Sequence, residues 1–426
     1  MQTRHIVRLH QRKTVLALAR PLCQPPCQPP WRPRPVASMT PRKDSIPHET
    51  RTAAEPRQNK LYPVRLAHIE QINPTIRLLR LALPAESLSD DETDDLPQEP
   101  FSFLPGQWLD VHVPGIQQAG GFTITSTPSD AHRLPAPDAS AVQDSPSRSK
   151  LTAQHTEIDA AAESDGRYPY VELAVQNSPS NPPAAWLWKP TREILGREVN
   201  VRVGGSFVWP PATIPEAQIQ KVVFVAGGVG INPLISILSH ITELASPARC
   251  SPEQQEHPHT HPHIPSIHFL YTTRIPHTEK LLLDGKLSAP QANITREALD
   301  EILFLSRLRR IVHRVSSCRT SGVQISLDVF LTNIPPPPAG QDEAVPSVLA
   351  QATQSLNEDG ADRNNNKNNI HVHSRRISRQ DLGSAMAGAK DSTVCYVCGP
   401  PPMTDEFVGH LGSLIGADRV LYEKWW

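Results

Sequence analysis

The chain has few of the residues that would settle its class on their own. Six cysteines in 426 residues, Cys23, Cys27, Cys250, Cys318, Cys395 and Cys398, are too few and too scattered for a disulfide framework. They also lack the close spacing of an iron–sulfur ligand set. An excess of one charge is missing too: 42 Lys and Arg stand against 43 Asp and Glu, so no overall field favours nucleic acid or an anionic membrane surface. No apolar run reaches the ~18 residues that would mark a membrane-spanning helix. Acidic residues are absent before Asp44, whereas nine Arg and Lys lie between Met1 and Lys43. "RHIVRLHQRKTVLALARPL" sets Ile6, Leu9 and Leu16 apart from Arg4, Arg8 and Arg12 on a helix. Residues 1–43 therefore read as a mitochondrial presequence and predict a matrix location; the competing reading is a plain basic tail.

Proline, by contrast, is abundant, with 45 against 21 glycines, and it clusters where neither helix nor central strand can form. After a linker at 44–60, four polar or Pro-rich stretches read as insertions: Pro84–Pro100, Ala131–Arg167, Ser246–Pro265 and Pro335–Asn369. About 260 residues remain, enough for two cores. The first, 61–211, alternates apolar and polar residues in "YPVRLAHIEQI", "TIRLLRLAL", "QWLDVHV", "GFTITST", "YVELAVQN" and "EVNVRVGGSF", which predicts an antiparallel sheet or small barrel. The second, 221–426, alternates buried strands such as "KVVFVA", "IHFLYTT", "VQISLDVFLT" and "TVCYVC" with helical segments. That order predicts a doubly wound parallel sheet, whose ligands sit beyond the C-terminal strand ends.

Two glycine turns fall at such ends. In "VAGGVGINPLISIL", Gly227 and Gly228 permit positive φ and close approach of a ligand, Gly230 leaves room at the helix entrance, and Pro233 suits a first helical turn. A helix start facing outward in this way suits a pyrophosphate. In "TVCYVCGPPPMTDEF", Gly399 follows a strand, Pro400, Pro401 and Pro402 read as a stiff extended wall, and Thr404 or Asp405 reads as the helix cap.

"AGGVGINP" followed by "CGPPPM", with "FLPGQWLDVHVPG" upstream, resembles the ferredoxin–NADP reductase and cytochrome b5 reductase superfamily. Within it, "GGFTITSTP", "NPPAAWLW" and the ending "EKWW" are similar to the oxidoreductase NAD-binding domain-containing protein 1 group. The resemblance implies a flavin-domain-like β-barrel followed by an NAD(P)-binding domain, with NAD(P)H as cofactor and FAD or FMN as its hydride acceptor. Gly227, Gly228, Gly230, Asn232 and Pro233 would line the pyrophosphate and nicotinamide, Asn232 standing where threonine is usual. Cys398, Gly399, Pro400 and Met403 would flank the nicotinamide, with Cys398 and Thr123 in the catalytic positions. Tyr271, Thr273 and Arg274 would read the adenosine ribose, where Arg274 can pair with a 2′-phosphate. Phe122 and Trp426 would stack on the isoalloxazine, and electrons would leave to a separate small molecule or redox protein.

The flavin-binding strand of the superfamily carries arginine, tyrosine and a hydroxyl residue. Aligned on it, Gly120 takes the arginine position, Phe122 the tyrosine and Thr123 the hydroxyl; Arg202 or Lys189 would have to supply the missing cation. "NPPAAWL" likewise lacks the serine of the second phosphate element. These losses motivate an alternative, a mitochondrial dinucleotide-binding or interaction protein without flavin. A third reading makes Cys395 and Cys398 a redox dithiol, although Cys395 sits inside a predicted strand rather than at a helix start. "EHPHTHPH" reads as low complexity, and no metal is expected.

Overall fold

Alternating burial along Tyr62–Asn73 puts Val64, Leu66 and Ile69 on an inner face, and this long strand, β1, seeds an antiparallel sheet. Its companions are β2 (Ile76–Ala82), β3 (Trp108–His112), β4 (Gly120–Thr123), the short β5 (Gln154–His155), β6 (Tyr170–Gln176) and β7 (Glu198–Gly204). They run in the order β4-β3-β7-β1-β2-β6, with β5 beside β1. A bridge from Ile124, just past β4, to Leu173 of β6 joins the two ends of that path, so the sheet closes into a barrel. Leu79, Leu81, Leu109, Val111, Val201 and Leu173 fill it, and helix α1 (Pro182–Leu187) adds Trp186 and Leu187 to the same core.

The second sheet is parallel and reads β11-β10-β9-β8-β12-β13, built from β8 (Lys221–Gly227), β9 (Ser266–Thr273), β10 (Ile325–Leu331), β11 (Ile370–His373), β12 (Thr393–Gly399) and β13 (Val420–Lys424). Its central strands are buried on both faces, as parallel sheets require. Helices α2 (Ile231–Leu244), α3 (Leu305–Ser317) and α4 (Ala344–Asn357) pack on one face. Helices α5 (Arg379–Ala385) and α6 (Pro401–Ile415) pack on the other. The fold is thus a barrel followed by a doubly wound sheet, the class read from the sequence. The order of winding reverses between the parallel strands β8 and β12, which makes the crevice beyond their C-terminal ends the place for a ligand.

The structure, a computed structural model, describes residues 47–84, 100–132, 154–155, 168–244, 265–276, 294–317, 323–334, 344–357 and 369–424. The presequence-like segment, the His-rich tract and Trp425–Trp426 lie outside these residues. No helix among them is long and apolar enough to cross a membrane.

Two expectations are corrected. Part of the stretch Pro335–Asn369 is not a bare insertion: α4 buries Ala352 and Leu356, and Asn357 donates to the Ile370 carbonyl at 2.9 Å, tying the helix end to β11. Leu349, Ala352 and Leu356 follow helical spacing, which outweighs the polar composition around them. Nor do all three prolines after Gly399 form an extended wall. Pro401 and Pro402 are the first residues of α6, where a missing N–H costs no intrahelical bond, and the cap position is Pro400.

Candidate functional site

The two glycine turns meet. β8 and β12 pair in parallel with Cys398 opposite Ala226, so Gly227 and Gly399 end adjacent strands side by side. A Cβ on Gly399 would come 3.2 Å from the Gly227 Cα and 2.4 Å from Met403 Cε. A Cβ on Gly227 would meet Met403 and Pro400 at 2.8 and 2.9 Å. Gly230 is tighter still, with only 2.2 Å to the Cys398 carbonyl oxygen, so the entrance of α2 rests directly on β12. Gly228 is the exception: its φ is +56° and nothing lies within 4 Å of its missing side chain. The backbone is open to a ligand there and closed at its neighbours.

Asn232 and Pro233 are both buried in the first turn of α2. The Asn232 Nδ2 donates to the Ala174 carbonyl of β6 at 3.1 Å, while its Oδ1 is buried without a partner. Cys398 is fully buried on the α2 side of the sheet, with Ala226 and Tyr396. Cys395 lies on the opposite face against Met386, and burial pushes its thiol up to about 12. Successive odd spacings along a strand point to opposite sides, so the two sulfurs cannot act as a dithiol. Thr404 is a support rather than a cap, donating to the Gly399 carbonyl at 3.1 Å.

Opposite Cys398 in register is Glu423 of β13, which the sequence reading missed. Its Oε2 is buried without a hydrogen-bond partner, and burial, aided by the charge of Glu55, raises the carboxyl to about 8. A proton is therefore held near neutrality beside the Cys398 turn. No local signal marks Glu423, because its role depends on β13 lying next to β12.

Tyr271 does not face a ribose. It is buried and donates to the Leu303 carbonyl, whereas Thr273 ends β9 and Arg274 follows it exposed. These two stay at a C-terminal strand end, where an adenosine would be read.

A polar seam holds the barrel against the helices. Glu172 of β6 is buried, and Arg307 of α3 reaches it at 2.6 Å, Thr125 at 2.9 Å and Arg80 at 3.5 Å. Burial alone would raise this carboxyl, but Arg307 and Arg80 hold it below the usual range. Ser236 of α2 donates to the Ser126 carbonyl at 2.7 Å, and Tyr396 donates to the Val208 carbonyl at 2.8 Å. The segment just after Thr123 is thus fixed to the nucleotide half of the molecule.

At the flavin positions the fit divides into two ends. Phe122 shares the inner face of β4 with Gly120, and a Cβ on Gly120 would meet the Phe122 ring at 2.5 Å and Pro183 at 2.7 Å. The chain's own side chains fill the place of the missing arginine. Helix α1 offers little to a phosphate, since Pro182 and Pro183 have no N–H and the next N–H, of Ala184, is taken by Asn181 Oδ1 at 3.4 Å. Arg202 is not free for that role, and Lys189 is exposed. Arg202 pairs with Asp110 at 2.8 Å, beside Arg57 and His48, and the Lys189 ammonium lies 5.9 Å from the Trp186 ring centre. A flavin diphosphate does not fit these residues. At the other end, Thr123 is buried and its Oγ1 has no partner, which suits a ring edge. Among the described residues no group of three or more His, Cys, Asp or Glu is arranged for a metal.

No family model matches the chain. Over 381 residues it is 27% identical to a curated relative from Danio rerio, across 89% of this chain and 97% of the relative. The chain is similar to oxidoreductase NAD-binding domain-containing protein 1. The Homo sapiens protein of that name matches at 24% over 392 residues, 92% of this chain and 88% of the relative. The resemblance carried by "GGFTITSTP" and "NPPAAWLW" thus extends along most of the chain. A solved ferredoxin NADP+ reductase from Neisseria gonorrhoeae, with bound FAD and NADP, is 11% identical, covers 86% of this chain and 99% of its own, and has a TM-score of 0.42. The fold class rests on strand order and register.

Proposed function

We propose that the chain is an NAD(P)H-dependent oxidoreductase that binds the dinucleotide across the Gly227–Gly230 and Cys398–Met403 turns and passes electrons to a separate acceptor. The single observation that carries this reading is the contact of two glycine turns at the topological switch point, closed at Gly227, Gly230 and Gly399 and open at Gly228. The oxidoreductase name of the curated relatives supports it. In this reading Gly228 lets the pyrophosphate approach, Pro400 and Met403 wall the nicotinamide, Thr273 and Arg274 meet the adenosine ribose, and Glu423 holds a proton beside the turn. Flavin, when bound, would supply the two-electron relay between nicotinamide and acceptor.

Titration of the purified chain with NADH and NADPH, followed by nicotinamide fluorescence, tests this directly. Saturable binding that Gly228→Val removes is expected; a chain that binds neither nucleotide overturns it. A second reading, a dinucleotide-binding protein without electron transfer, is favoured by the filled space at Gly120. Bound NADH that reduces no added flavin, quinone or ferricyanide would select it. Mitochondrial import is proposed from the basic tail, and a fluorescent protein carrying residues 1–43 that stayed in the cytosol would refute it.

A further inference from the structure

The two ends of the flavin position disagree. At the phosphate end three independent features oppose binding: Phe122 and Pro183 occupy the space beside Gly120, two prolines remove the first N–H groups of α1, and Asn181 consumes the next. Anions at a helix start are held by free N–H groups and nearby cations, and the first three positions of α1 offer no free N–H. Of the two basic candidates, Arg202 is engaged by Asp110, and Lys189 is exposed with its ammonium 5.9 Å from the Trp186 ring centre.

At the ring end the position is built. Thr123 is 1% exposed with an unpartnered hydroxyl, and a buried hydroxyl without a partner costs free energy that a ligand would recover. The residue next to it, Ile124, bridges Leu173, and Ala174 after that accepts from Asn232, whose own Oδ1 is also buried and unpartnered. An orphan hydroxyl on the barrel side and an orphan carbonyl on the helix side therefore meet one seam. The Arg307–Glu172 pair and the Ser236–Ser126 bond hold that seam in place. A planar heterocycle with donors and acceptors along its edge, such as an isoalloxazine, matches this pair; a diphosphate tail has no partner.

We infer that the chain takes flavin by its ring alone, as an exchanging ligand, and keeps no resident FAD. This deepens the oxidoreductase reading and rests on it for the electron donor, but ring binding is measurable without any nicotinamide nucleotide.

The full purified chain is passed over a desalting column and then titrated with riboflavin, FMN and FAD by quenching of flavin fluorescence. The expected result is a colourless protein whose dissociation constants for the three flavins agree within about threefold, because the tail adds no contact. Thr123→Val weakens all three together by about three- to tenfold, the size of one lost hydrogen bond. FAD retained through the column, FAD bound tenfold or more tightly than riboflavin, or no binding of any flavin overturns the inference. NADH binding, measured separately, tells the two readings apart. Riboflavin binding without NADH binding would sink the oxidoreductase reading alone, and NADH binding without any riboflavin binding would sink this one alone.

Discussion

Gly228 and Gly120 are the same residue in opposite surroundings. Each stands where the resemblance implies a cofactor's phosphates, one after β8 and one at the start of β4. At Gly228 the absent side chain leaves open space and φ of +56°, so the backbone is open to a ligand. At Gly120 the absent side chain lets Phe122 and Pro183 close in, so the glycine serves the protein's own packing. A glycine in a binding-type turn shows only that nothing projects from the backbone; what fills the space decides its use.

The comparison can be broken most severely through the seam that holds both regions in register. Replacing Glu172 with Ala strands Arg307 and Arg80 near a buried site and should cost about 3–5 kcal/mol in urea unfolding, with both regions lost together. Next come the glycines themselves. Gly230→Ala forces a Cβ against the Cys398 backbone and should cost about 3 kcal/mol. Gly228→Ala should cost only about 1 kcal/mol for its positive φ yet weaken NADH roughly tenfold or more. If both substitutions damaged stability equally, the contrast between open and closed glycines would fail.

Glu423 sharpens the nucleotide side through pH. Its folded carboxyl is raised from 4.5 to about 8, so between those values the native state binds a proton that the unfolded chain has released. Stability therefore falls as pH rises through that window. Glu423→Gln should flatten the fall and raise stability at pH 8.5 by about 1–3 kcal/mol, read from thermal melts across pH. The smallest effect on the nucleotide site belongs to Cys395→Ser, which should cost about 1–2 kcal/mol of stability for a buried hydroxyl and leave NADH affinity unchanged. Loss of nucleotide binding in that variant would return the thiol to the site.

Much of this was legible in advance because strand patterns and glycine turns are local. "KVVFVA" before "GGVG" fixes a buried strand and the turn at its end, and both appear where expected. Helix α4 was hidden because Pro346 and the flanking Pro- and Asn-rich runs mask a short apolar spacing that only the sheet beneath makes useful. Glu423, Arg307 and the filled space at Gly120 depend on strand order and on contacts between distant segments. Glu172 and Arg307 are 135 residues apart, and nothing near either announces the other.

That separation has a consequence for synthesis. As the chain leaves the ribosome the barrel strands are complete long before Arg307 emerges, and until then Glu172 has the Thr125 hydroxyl at 2.9 Å and the longer contact to Arg80. Glu172 alternates with Val171 and Leu173, which face the barrel core, so its carboxylate points outward and stays in water until the helices cover it. Final locking of the N-terminal half waits on translation of α3, so burial of that acid and its pairing with Arg307 arrive in one late step.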